Sequence, residues 1–414
     1  MNRNKLFLSI YAVTTRIIID IVGKLMLAEV IALVTFPFIN KRKLIRKYKG
    51  LRIVIVSLLV LLLAQIVSDL FNNSIPTDYL RGWALMLFSI VSTIFLVNYI
   101  SKNNNGIIYY LFFLFVIRLL FGNSDLSVIY NWAENTNIFK SRFVVFLNPL
   151  LLVISYYLFS LNIKRITAIL FMLYGFICIS LDARSNGLIF IVSSFILYLK
   201  IENIRFTYLK IFGLILFIGV VFYLAYIYYV NQVLFHGFGG SNAFTQLSRS
   251  KNPYNPFELI YHGRTDFFVL IQAIIDKPIL GHGSWAKDPN GIYMALNAKI
   301  NGMSSYKSIG YIPAHSVLLG SWAYAGIIGF IATLFMFVKL FRYYIIIINS
   351  KYRPKIYPIL IVSLIDMIWA FLFSPLGLLR TTFPIFAALI IVEYERFNKY
   401  NKMVLRKQNY ILKK

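Results

Sequence analysis

Pro313-Ala314-His315-Ser316 closes a long polar interruption, residues 231–312, and opens a new apolar run; on either side of it the chain reads as membrane. Within the interruption lie Gly263-Arg264-Thr265-Asp266 and Gly281-His282-Gly283-Ser284-Trp285, a density of polar residues and glycine found nowhere else in the sequence. That stretch is where chemistry is expected.

The 414 residues are 59% hydrophobic with a mean hydropathy of +0.72, above the apolar share of about 45–50% typical of soluble domains, so the composition indicates a polytopic membrane protein. A membrane helix needs about 20 apolar residues. Eleven runs are candidates: roughly 17–39, 51–71, 80–100, 106–121, 142–162, 165–181, 187–200, 209–230, 313–338, 356–376 and 383–398. The first apolar stretch, residues 6–39, is interrupted by Arg16, Asp20 and Lys24 and is long enough to hold an extra hairpin or re-entrant piece. The expected fold is therefore all-α, a single integral membrane domain over 1–414 with 11 or 12 spans, and residues 231–312 form one large external segment carrying short surface helices.

A net charge of +27 would suit nucleic acid if it formed a patch. Lysine and arginine fall instead in short segments between the apolar runs, where they set orientation, so no nucleic-acid partner is expected. Lys41-Arg42-Lys43, Arg46, Lys47 and Lys49 mark the first connecting loop as cytoplasmic. Alternation then places 164–165, 200–210, 339–355 and the tail from 396 on the same side, and the basic-poor stretches 72–79, 122–141, 182–186, 231–312 and 377–382 outside. The single cysteine, Cys178, excludes a disulfide framework or a cysteine metal cluster within the chain. Four histidines without an HExxH motif or an acidic cluster predict no protein-held metal, and no cofactor is expected.

Arg184, Arg264 and His315 all fall on the external side of this topology. A guanidinium just outside a bilayer can pair with phosphate oxygens or simply meet lipid headgroups. Thr265-Asp266 caps an apolar run, 267–276, that stops before Pro278, so Arg264 is placed at a helix N-terminus, where free N–H groups favour an anion. That helix is too short to span and is expected along the membrane surface, beside lipid headgroups. His315, ahead of the run 316–330, is expected in the first turn of a helix, where a neutral ring could accept a proton as a general base. A structural or interfacial histidine is the alternative. Gly320, Ala323, Gly326 and Gly329 are expected to let another helix pack closely and fix its position. His282, between two glycines, is expected in a turn and is a weaker candidate; His236 and His262 are weaker still. Asp366 in mid-span and Arg118 near the external end of its run are either functional or partners in an internal polar contact.

With these residues in hand, the chain resembles the bacterial O-antigen ligase and O-antigen polymerase superfamily. The resemblance rests on Pro313-Ala314-His315-Ser316-x-Leu318 followed by Ala325-Gly326-x-x-Gly329, on Gly263-Arg264, on the run from Asp276-Lys277-Pro278 to Gly281-His282-Gly283, and on Ala183-Arg184-Ser185 before an apolar helix. It implies a metal-independent, inverting glycosyl transfer from an undecaprenyl-diphosphate-linked glycan, with His315 as base and Arg184 and Arg264 on the diphosphate. A repeat-unit polymerase is the leading expectation, with membrane lipids and a chain-length regulator protein as partners. A ligase acting on lipid A–core is the alternative within the superfamily. A flippase for the same lipid is the alternative from another class, and would require charged residues lining a passage through several spans.

Overall fold

The computed structural model describes residues 3–20, 24–103, 105–122, 139–203, 208–238, 240–301 and 310–411. Among them are eighteen α-helices, and strand is confined to two short antiparallel pairs, so the chain is all-α.

The span expected over 17–39 is broken. α1 (Arg3–Thr14) ends where the Thr14 and Thr15 hydroxyls bond back to the carbonyls of Ile10 and Ala12. β1 (Ile18–Asp20) then pairs with β2 (Lys24–Met26), and α2 (Leu27–Thr35) follows. Arg16, Asp20 and Lys24 thus sit in a turn and a hairpin, and none of them is carried on a helix. Arg16 donates to the carbonyl of Phe121, while fully buried Glu29 of α2 is ion-paired with Arg380. A continuous helix would have had to take these charges through the bilayer unpaired.

α3 (Lys41–Lys47) is capped by the Asn40 side chain and leads into α4 (Lys49–Phe71) and α5 (Pro76–Ser101). α6 (Gly106–Phe121), α7 (Val144–Ser160), α8 (Lys164–Ser180), α9 (Arg184–Ile201) and α10 (Tyr208–His236) follow. Most of the expected loop 122–141 lies outside the described residues, as do 204–207 and 302–309. The insertion carries α11 (Gly240–Ser248), α12 (Pro256–Gly263), α13 (Thr265–Asp276) and α14 (Ile292–Ile300), with β3 (Lys287–Asp288) paired to β4 (Gly310–Tyr311). The chain ends with α15 (Val317–Asn349), α16 (Tyr357–Phe373), α17 (Leu378–Thr381) and α18 (Phe383–Ile411).

Four of the described helices, α4, α5, α9 and α15, are long and apolar enough to cross a membrane, which makes this a membrane protein. Shorter apolar helices include α6, α7 and α16. At about 1.5 Å per residue the 17 residues of α16 reach about 26 Å, at the lower limit for a hydrocarbon core of about 30 Å.

The insertion is fastened by backbone contacts that the sequence did not announce. Gly326 has φ +64° and interrupts α15; a β-carbon there would lie 1.9 Å from the Ile279 carbonyl oxygen. Into this break the turn after α13 fits. The N–H groups of His282 and Gly283 donate to the carbonyls of Ala323 and Tyr324 at 2.7 and 3.2 Å, and the Ile327 N–H donates to Ile279 at 3.2 Å. The stripe of small residues was expected to admit a helix. At Gly329 it does admit α4, through Leu61, but at Gly326 it admits this turn. From the other side, Asp69 of α4 accepts the Ser284 N–H and hydroxyl at 2.5 and 2.6 Å and the Trp83 indole N–H at 2.8 Å.

Gly326→Ala should therefore loosen the whole insertion. Overpacking costs about 1–3 kcal/mol, and a left-handed backbone adds about 1–2 kcal/mol for a residue with a β-carbon. Limited proteolysis should cut the variant faster within 240–301, with a lower thermal midpoint; wild-type resistance and midpoint would show that this docking is not what fixes the segment.

Candidate active site

Arg264 is the N-cap residue of α13, as the sequence indicated. Its guanidinium lies over two rings of α16, 5.0 Å from the Trp369 centroid and 4.7 Å from that of Phe373. These aromatics are four residues apart, so one helix face presents both. Burial lowers the Arg264 guanidinium from its ordinary value, Asp266 opposes this, and the positive charge of Arg184 adds to the lowering. Two positive charges that feel each other in this way would both be favoured by a bound anion.

Arg184 is the first residue of α9. Its Nε lies 3.2 Å from Asp182 Oδ1, and a terminal nitrogen donates to the Tyr229 hydroxyl of α10 at 3.3 Å. The tight α8–α9 turn, with Asp182 at φ +63°, is supported one turn below it, where Gly175 and Gly187 face each other. A β-carbon on Gly187 would come within 2.5 Å of the Gly175 carbonyl oxygen, so only glycine lets these backbones approach so closely.

His315 lies one residue outside the position expected for it. The N-cap of α15 is Ser316, whose hydroxyl accepts the Leu319 N–H, so the histidine precedes the first turn. It faces a carboxylate: Nε2 is 3.5 Å from Asp266 Oδ2, and the side chain is 60% exposed. Asp266 is itself held, since its other oxygen accepts from Asn297 at 2.6 Å, Asn301 donates to the Asn297 amide oxygen at 2.7 Å, and Thr265 donates to Asn301 at 3.1 Å. The start of α13 therefore supplies both Arg264 and the carboxylate facing His315.

His282 stands apart. It occupies the expected turn, with Gly281 and Gly283 at φ +76° and +85°, but lies beyond the far end of α13, whose twelve residues span about 18 Å. Its Nε2 is 2.7 Å from the Ala273 carbonyl, and its ring meets Tyr293 edge to face. Burial pushes the imidazole below its ordinary range. These contacts make it a closing residue for the turn after α13.

Asp366 and Arg118 line one cavity of about 200 Å³, together with Tyr110, Asn148, Asn186 and Ser363. Arg118 donates to the Val145 carbonyl at 3.1 Å, and the Asn148 and Asn186 amides bond to each other. The helices α9 and α16 thus contribute both to this cavity, through Asn186 and Asp366, and to the arginine sites, through Arg184 and the Trp369 and Phe373 rings.

Sequence reasoning missed the Asp266–His315 contact, the aromatic seat of Arg264, and the Asp182 and Tyr229 partners of Arg184. The signals were present only in part: Trp369-x-x-x-Phe373 puts two rings on one helical face, and Asp266 stood at the helix start, but the cap expected of Thr265-Asp266 is not made, since their side chains bond to Asn301 and Asn297 instead of the first-turn N–H groups. Chemically, the group combines a histidine facing a carboxylate with two guanidiniums, one of them shielded by aromatics. That is the equipment for moving a proton beside a bound anion. No protein-family model matches the chain, and no curated protein matches it in sequence.

Proposed function

We propose that this protein polymerises lipid-linked oligosaccharide repeat units by an inverting glycosyl transfer that needs no metal, using an undecaprenyl-diphosphate-linked glycan as donor. The observation that carries the reading is His315 facing Asp266 at the start of α13, beside Arg264 at the helix N-cap, with Arg184 at the start of α9 within electrostatic reach of Arg264. In the transfer, an acceptor hydroxyl oxygen forms a bond to the donor anomeric carbon while the bond from that carbon to phosphate breaks. The diphosphate leaves with the electron pair, and His315 takes the hydroxyl proton. Asp266 faces Nε2, which leaves Nδ1 to take the proton in this proposal. The arginines offset charge that grows on the diphosphate as the bond breaks, which lowers the barrier because the interaction strengthens in the transition state.

The reading places the chain in a bacterial cytoplasmic membrane with eleven or twelve spans, residues 231–312 on the outer side, and a chain-length regulator as a protein partner. Reporter fusions after Lys49 and after Lys355 should signal cytoplasm, and a fusion at Asn290 should signal the outside. A cytoplasmic signal at Asn290 would remove the site from the leaflet where lipid-linked glycans are expected.

The test of function is the lipid-linked glycan pool of a strain lacking the protein. Accumulated single repeat units support the polymerase, whereas full-length undecaprenyl-linked chains indicate the ligase acting on lipid A–core. A flippase is favoured by one observation, the cavity lined by Arg118 and Asp366. Loss of a flippase would leave the repeat units confined to the inner leaflet.

A further inference from the structure

A second cavity, of about 340 Å³, lies beyond the other end of α13, between the α4–α5 turn and the residues that follow α13. Its size falls in the range of small-ligand pockets, about 300–1,000 Å³. Trp285 and Tyr293 contribute aromatic rings to its wall, and Asn73, Lys287 and Asn290 contribute exposed polar groups. Among the described residues no hydrogen bond involves the side chains of these last three. The acids nearby are occupied: Asp288 accepts the Ile292 and Met294 N–H groups of α14, and Asp78 accepts from the Tyr311 hydroxyl.

Trp285 has φ +48°, a left-handed backbone that bulky residues rarely adopt. Its neighbours impose it. Ser284 is held by Asp69 through both its N–H and its hydroxyl, and Ala286 accepts the Ile312 N–H at 2.9 Å. Backbone strain held in place from both sides is a feature of ligand clamps, and here it sets an indole in the wall of the cavity, with Tyr311 packed against it at a centroid distance of 6.0 Å. A rigid indole takes the C–H face of a sugar ring, and amides and an ammonium take its hydroxyls.

The geometry points to a glycan subsite in this cavity, with Trp285 as stacking platform, holding a part of the acceptor chain several sugars away from His315. The inference rests on the proposed polymerase reading for the identity of the glycan, but its binding test is independent of transfer.

The probe is a lipid-free, diphosphate-free oligosaccharide released by partial acid hydrolysis from the cell's own surface polysaccharide. Binding is followed by saturation-transfer NMR on the full-length protein in nanodiscs. Wild type should bind, and Trp285→Ala should weaken binding by about tenfold or more, as expected for truncation of an aromatic anchor. Asn290→Ala, an exposed change that leaves the fold intact, should weaken it about threefold by loss of one neutral hydrogen bond. Trp285→Phe should restore part of the loss. Absence of binding by wild type, or wild-type affinity in both alanine variants, would overturn the subsite. If the oligosaccharide fails to bind while transfer still depends on His315, the subsite alone is rejected. If it binds through Trp285 while the wild-type protein makes no polymer from a lipid-linked repeat unit, the transfer reading alone is rejected.

Discussion

His315→Ala should insert and fold like the wild type, keep its affinity for a lipid-diphosphate donor, and lose about 100- to 10,000-fold in transfer rate, the range for a positioned general base. The structure makes this substitution a clean one. The ring is 60% exposed, and the cap of α15 belongs to Ser316, so alanine opens no core cavity and removes no cap. What it does remove is the imidazole that faces Asp266. His282→Ala, beyond the other end of α13, should reduce the rate far less, because its contacts close a turn. Turnover of purified His315→Ala within about threefold of wild type would return the residue to a structural role, since the smallest loss expected for a base is about 100-fold.

Arg264→Lys should fail to rescue the function, with a loss of about 100- to 1,000-fold, the scale on which a transition-state charge donor matters. An ammonium keeps the charge but lacks the planar fork that pairs with two phosphate oxygens, and it lacks the delocalised plane that stacks on rings such as Trp369 and Phe373. Lysine is also the more strongly hydrated ion, poorly matched to a half-buried seat. Arg184→Lys should behave likewise, having lost the geometry that reaches both Asp182 and Tyr229. Polymer of normal amount and length from both lysine variants would show that neither arginine clamps a diphosphate.

Much of the architecture was legible because membrane helices advertise themselves by apolar length, and the extent of α13 because an apolar run bounded by polar residues and a following proline carries local information, although no side chain caps it. The N-terminal run was legible only as an interruption. Arg16, Asp20 and Lys24 signalled that no plain helix would pass, but pairing across a hairpin and the Glu29–Arg380 ion pair depend on partners far along the chain. The same holds at the candidate site. Arg184, Arg264 and His315 stood out by type and position, whereas Asp266 facing His315, or α16 seating Arg264, requires contacts between elements that no local pattern encodes. The stripe from Gly320 to Gly329 shows the limit most plainly. Small residues predict close approach, and approach is found, but the partner at Gly326 is a turn of the insertion, which only the left-handed φ there discloses.

The most direct measurement of the central claim is a single-enzyme transfer assay. Purified protein in nanodiscs would be given one undecaprenyl-diphosphate-linked repeat unit, with a chelator present, and the products resolved by length. The account predicts a ladder of undecaprenyl-linked oligomers with release of undecaprenyl diphosphate, and no ladder from His315→Ala at equal protein. Undiminished donor with the wild-type protein, or an equal ladder from His315→Ala, would contradict it.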